Sequence, residues 1–231
     1  MANFNTHLNV ATITSGLASA TLLSATHIDF NSALWLWFLG TIGGLLPDID
    51  SDNSTSLDTI FAMFTLTAVL ITLRYITEGV FKEIRFIELI ATSLIVYGIM
   101  RFVIRPLFEK ITIHRGSCHS LVFLLLSSLL VTQLTWRLSY NYAQHPDIIA
   151  WFSGGFIFLG GFIHLLLDEI YSVDLLNIKI KRSFGTALKL ADFNHKGITL
   201  LLFIAIIGLA YIAPSPENTI NTLTNWSKFK L

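Results

Sequence analysis

The chain has 231 residues, 53% of them hydrophobic and only 13% charged, with a mean hydropathy of +0.66. Soluble domains carry about 25% charged residues, so this composition excludes an ordinary soluble globular protein and predicts an integral membrane one. Lys and Arg (15) balance Asp and Glu (15), which gives no reason to expect a nucleic-acid partner, and the single Cys118 excludes an internal disulfide.

Met1 to His7 has no Lys or Arg to form the charged start of a signal peptide, so it reads as part of the working chain. Leu8 to Ala25 is a weakly apolar first span, with Gly16 and Ala20 in small-xxx-small spacing suited to packing inside a bundle. Phe30 to Leu46 is a short second span. Trp35 and Trp37 are its interface anchors, Gly40, Gly43 and Gly44 allow close packing, and Pro47 stops it. Asp48 to Ser54 is a polar loop with turn chemistry. Leu57 to Ile76 and Ile84 to Ile104 form a helical hairpin through a charged turn holding Glu78, Lys82 and Glu83.

Arg105 to Cys118 reads as a polar connection, with Ser117 as N-cap of a fifth span ending at Leu138. Ile148 to Leu167 is the sixth and most apolar span. After it, 169–197 reads as an amphipathic interfacial segment carrying Lys179, Lys181, Arg182, Lys189 and Lys196. Ile198 to Ala213 is a short seventh span, and 214–231 a polar tail with Trp226 as an interface anchor. The expectation is therefore all-α: a polytopic bundle of about six to seven spans forming one membrane-embedded domain over 1–231.

Counting spans places His7, Asp48, Asp50, His114, His119, His164 and Asp168 on the side of Met1, while His27 and His145 fall opposite. Nine of the 15 Lys and Arg residues also fall on the Met1 side, which predicts that this side is cytoplasmic. His164 and Asp168 are four apart on one helix, so both point into the same space. Ionisable groups in hydrocarbon are costly and normally face a protein interior or cavity where they have partners.

Imidazole and carboxylate suit zinc, manganese or iron, and four histidines with three aspartates exceed what one tetrahedral ion needs. Metal pairs of this kind serve hydrolases without a serine or cysteine nucleophile. Each motif also has a plain structural reading: Pro47-Asp48-Ile49-Asp50 as a helix stop and Asx turn, and His164 with Asp168 as a helix-end pair. Arg115 is a candidate for stabilising developing negative charge or gripping a phosphate oxygen. Glu169 and Asp174 are candidate bases, and His195 a reserve ligand.

Four motifs occur in order: Thr6-His7, Leu45-Leu46-Pro47-Asp48-Ile49-Asp50-Ser51, His114-Arg115-Gly116-Ser117-Cys118-His119-Ser120 and Gly160-Gly161-Phe162-Ile163-His164-Leu165-Leu166-Leu167-Asp168. Together they resemble the YdjM-like family of bacterial inner-membrane proteins, described as metal-dependent hydrolases and in part as LexA-binding. That family in turn resembles the zinc-dependent phospholipase C and P1 nuclease group. The resemblance implies that His7, Asp48, His114, His119, His164 and Asp168 are metal ligands, with Asp50 a ligand or catalytic base. Cys118 departs from the expected motif. Met1 before His7 also leaves no mature N-terminal amine in the position that the phospholipases use, so their zinc count does not carry over.

The expectation is thus a membrane-bound, metal-dependent hydrolase at the cytoplasmic face of a bacterial inner membrane. Its cofactor would be zinc, with manganese or magnesium as alternatives, and its substrate a phosphoester of a lipid or lipid-linked molecule. The catalytic candidates are Asp50 and Arg115, with membrane lipid as a partner. Two alternatives account for the same residues: a metal-ion or proton-coupled transporter, or a non-catalytic scaffold holding a cytoplasmic protein.

Overall fold

The computed structural model describes residues 3–25, 27–50, 55–77, 85–111, 118–140, 143, 145–174, 179–180, 188–191, 193 and 196–225. Two compact units divide the chain: Met1–Asp48 with Gly116–Leu231, and Ile49–Arg115.

In the first unit, α1 (Phe4–Ser24) begins four residues before the expected span. Asn3 explains the early start, because its side-chain oxygen accepts from the Thr6 N–H at 2.8 Å and satisfies a donor that the helix itself leaves open. His7 is therefore fixed on a helix rather than trailing from it. α2 (Phe30–Gly43) is capped by Asp29 and is followed by a 3₁₀ turn, Leu46–Asp50, at Pro47. α6 (Leu121–Ser139) and α7 (Pro146–Ser172) form the main helix pair, and α8 (Lys196–Ile212) packs on α6.

The hub of this unit is α7, which touches α1, α2, α6 and α9 (Glu217–Thr224). Small residues make the approach possible. A Cβ on Gly160 would strike the Gly40 carbonyl oxygen and come within 2.6 Å of the Gly44 nitrogen, so α2 and α7 meet backbone to backbone. The indoles of Trp35 and Trp37 also tie helices together: Trp35 donates to Ser153 Oγ on α7 at 3.0 Å, and Trp37 to the Thr12 carbonyl on α1 at 2.9 Å.

The second unit contains α3 (Thr55–Tyr75), α4 (Phe86–Ile99), a π-helical turn (Met100–Ile104) and α5 (Arg105–Ile111). α3 packs against α4, giving the expected hairpin. The charged turn between them, including Glu78, Lys82 and Glu83, lies outside the described residues. Helix continues to Ile111 where a polar connection was expected after Ile104. Arg105 explains this, since it reaches Asp58 on α3 at 2.6 Å and Glu109 one turn on at 2.8 Å, with its guanidinium 5.8 Å from the Phe61 ring. Pro106 cannot donate an N–H, and the widened turn just before it is where a helix accommodates that loss.

One other expectation changes, and two segments gain detail. Ser120, not Ser117, caps α6, accepting from the Phe123 N–H at 3.3 Å. Much of 169–197 lies outside the described residues. Glu169 to Ser172 complete α7, then Val173–Asp174 pairs antiparallel with Lys179–Ile180. The Lys189 and Leu190 carbonyls accept from Leu121 and Val122, which satisfies the open N–H groups at the start of α6. The tail is helical over α9, bent 84° from α8 and tied to α7 through Asn218 with Asp147 at 2.7 Å. Lys181, Arg182, His195 and Trp226 lie outside the described residues.

Helices occupy all seven expected positions. Four of them are long and apolar enough to cross a membrane: Leu57–Tyr75, Phe86–Glu109, Leu121–Ser139 and Pro146–Ser172. The bent pair α8 and α9 makes a fifth if it counts as one span. α2, with 14 residues, rises about 21 Å against a hydrocarbon core of about 30 Å. α1 is long enough, but its many Ser, Thr and Asn residues leave it outside that set.

Candidate metal centre

Four chain segments deliver polar side chains to one end of the first unit: the start of α1, the 3₁₀ turn after α2, the approach to α6 and the last turns of α7. Antiparallel neighbours bring such alternate ends together. His7 (2% exposed), His164 (0%) and Asp168 (2%) are buried, while Asp48 and His119 are partly exposed at 25% and 14%.

The Nε2 atoms of three imidazoles face two carboxylates. His7 Nε2 lies 3.2 Å from Asp168 Oδ1, and His119 Nε2 lies 3.4 Å from Asp48 Oδ1 and 3.8 Å from Asp168 Oδ2. His164 Nε2 stands between the two, 3.5 Å from Asp48 Oδ1 and 3.6 Å from Asp168 Oδ2. Its other nitrogen, Nδ1, is 2.7 Å from the Gly44 carbonyl oxygen. A carbonyl only accepts, so Nδ1 carries the proton, and in the neutral ring Nε2 presents a lone pair to two anions.

That arrangement fits a divalent cation. Zinc bonds of about 2.0–2.1 Å place neighbouring tetrahedral ligands about 3.3 Å apart. The separations from 3.4 to 3.8 Å match such edges and are at or beyond the long end for an N–H···O hydrogen bond. A histidine ligand that donates its second nitrogen to a backbone carbonyl is the usual way such a ring is oriented. His7 and His164 also stack, with centroids 3.6 Å apart and planes 11° from parallel. Protonating both rings would bring two like charges to that distance.

Two triads satisfy the spacing for one ion, His7 with Asp48 and His164, and His119 with His164 and Asp168. His164 belongs to both, and with Nδ1 engaged at Gly44 its one remaining nitrogen, Nε2, would serve only one ion at a time. Burial by itself raises the Asp48 carboxyl pKa. When His119 and His164 are protonated, their Nε2–H groups and charge outweigh that and hold it well below the ordinary carboxylate range.

The structure thus gathers five of the seven ligand candidates. Asp50 closes the 3₁₀ turn, but its side chain is outside the described residues, as are His114 and Arg115. Glu169 follows Asp168 in α7 and is not part of either triad. Sequence reasoning missed Gly44, whose carbonyl orients His164, and Gly160, which lets that carbonyl come close. The available signal was the glycine run Gly40, Gly43 and Gly44 just before Pro47-Asp48.

Fold and site together define a helical membrane protein that buries a histidine and aspartate cluster at one end of its helices. The chain matches the YdjM inner membrane protein family over residues 1–213 and belongs to it. No curated protein and no solved structure matches.

Proposed function

We propose that the protein is a multi-pass, metal-dependent hydrolase of the bacterial inner membrane, cleaving a phosphoester of a lipid or lipid-linked molecule at the cytoplasmic face. One observation carries the metal part: two carboxylates converge on the Nε2 of the fully buried His164. Three imidazoles and two carboxylates gathered in one place are the nitrogen and oxygen donors that zinc and manganese take.

His7, Asp48, His119, His164 and Asp168 would hold the ion. When bound, zinc or manganese supplies Lewis acidity and a water made acidic enough to react near neutral pH. The chain's own residues do the rest. The Gly44 carbonyl keeps the His164 proton on Nδ1, and the stacked His7 ring keeps His164 from rotating. Asp48 stays ionised and is the most exposed of the five, so it marks the side from which a substrate enters. Asp50 is the base candidate and Arg115 the candidate for phosphate charge. The excess of Lys and Arg on the Met1 side supports the cytoplasmic orientation.

The test is metal content by mass spectrometry of the detergent-purified full chain, beside His164→Ala and His119→Ala, followed by phosphate release from phosphatidic acid micelles. One or more zinc or manganese ions per chain, lost in both variants, together with metal-dependent turnover, is the expected result. Absence of metal after loading with zinc, manganese and magnesium would refute it.

A further inference from the structure

Distances alone let His164 share an ion either with His7 and Asp48 or with His119 and Asp168. Ring orientation chooses between them. An imidazole nitrogen binds a metal along its lone pair, which lies in the plane of the ring, at about 2.0–2.1 Å for zinc. The His7 and His164 rings are stacked, with centroids 3.6 Å apart and planes only 11° from parallel. An ion in the plane of His164 therefore stands farther from the plane of His7 than the whole length of such a bond. Placed midway, it would sit about 1.8 Å out of both planes, and each bond would lean about 60° from its ring. The 11° tilt alters these heights by only about 0.6 Å over the roughly 3 Å from ring centre to ion.

His119 and His164 are related differently. Their planes cross at 72° with centroids 5.6 Å apart, so an ion can lie in both planes at once. Between their two Nε2 atoms and the oxygens Asp48 Oδ1 and Asp168 Oδ2, the four nitrogen–oxygen separations are 3.4, 3.5, 3.6 and 3.8 Å, the edges of one coordination shell.

The proton positions agree. On His164 the buried nitrogen without a hydrogen-bond partner among the described residues is Nε2, whereas on His7 it is Nδ1. If His7 bound an ion through Nε2, its neutral ring would carry the proton on Nδ1 and bury a donor with no acceptor. With the proton on Nε2, His7 donates to Asp168 Oδ1, 3.2 Å away, and leaves Oδ2 to face His119 and His164.

We infer that the ion at His164 is shared with Asp48, His119 and Asp168, and that His7 holds it only through Asp168, as the residue that positions this carboxylate. The inference rests on the metal part of the proposed function.

X-ray absorption of the zinc-loaded full chain in detergent counts the imidazoles around the metal. Two per zinc are expected, and three would overturn the assignment. A competition titration with a chromophoric chelator then compares His7→Gln with His7→Ala. The glutamine amide reproduces the Nε2–H donor but is a poor zinc ligand, so His7→Gln should keep close to wild-type affinity. His7→Ala should lose about 10–100-fold, the effect of removing a ligand's orienting partner. Equal losses in both variants, as large as that of His119→Ala, would overturn the assignment, as would a second zinc lost only with His7. A wild type that takes up no zinc would sink the metal reading and this inference with it. A two-imidazole zinc site that releases no phosphate from phosphatidic acid would sink the hydrolase alone and leave the role of His7 standing.

Discussion

Asp168→Asn separates a cluster waiting for a cation from one that is balanced by its own histidines. Asp48 Oδ1 and Asp168 Oδ2 lie 3.5 and 3.6 Å from the same nitrogen, so they can be no more than about 7 Å apart. At an effective dielectric constant of about 20, two negative charges at that separation repel by about 2 kcal/mol. Asparagine removes the repulsion while keeping shape and an acceptor for His7. At pH 8, above the ordinary imidazole range, the chelated variant should melt about 4–8 °C higher than the chelated wild type, using roughly 2–4 °C per kcal/mol for a chain of this size. Added zinc should raise the melting temperature of the wild type and much less that of the variant, because ligand binding to the folded form stabilises it. Thermal unfolding followed by tryptophan fluorescence in detergent reads both effects. A chelated Asp168→Asn protein that melts below the wild type would refute the reasoning, since the carboxylate would then already be balanced by ion pairs.

Gly160→Ala should push the Gly44 carbonyl away from His164 and weaken zinc binding about 10–100-fold, as loss of an orienting partner does. Gly155→Ala, where an added Cβ meets nothing within 4 Å, should leave affinity unchanged in the same competition titration with a chromophoric chelator. Metal retention should fall as pH is lowered, because protons and metal compete for the same imidazole nitrogens; a metal-content series from pH 8 to 5 reads it. Asp48 behaves differently. Its depressed carboxyl contributes stability fully present above the ordinary unfolded value of about 4 and lost as pH falls further towards its folded value. Asp48→Asn should therefore flatten the acid limb of a melting-temperature profile below about pH 4, and an unaltered limb would contradict the shift. Arg105→Gln should lower stability by about 1 kcal/mol, because both of its carboxylate partners are about half exposed, while metal content stays unchanged. Thermal unfolding with parallel metal analysis checks it.

Composition and periodicity determined the helical membrane class, because apolar runs of 17 or more residues leave few other structures able to satisfy their backbone. The i, i+4 pair His164 and Asp168 was legible for the same local reason: helix geometry alone puts them on one face. Residue chemistry also marked His7, Asp48 and His119 as partners, since each stands at a helix end on the same side by parity. Whether these five groups actually meet was decided only by the tertiary structure. The distance between helix axes depends on which residues face each other at the crossing, and that pairing joins Gly40 and Gly44 to Gly160 across more than 100 positions of sequence. The same non-local contact chose the Gly44 carbonyl as the partner of His164 Nδ1, and with it the direction of the lone pair. Helix ends were misread where a tertiary or side-chain partner satisfied groups that look unsatisfied in a linear reading, as Asp58 does for Arg105 and as Lys189 and Leu190 do for the mouth of α6. Sequence thus determined which groups needed partners, and packing determined which partners they found.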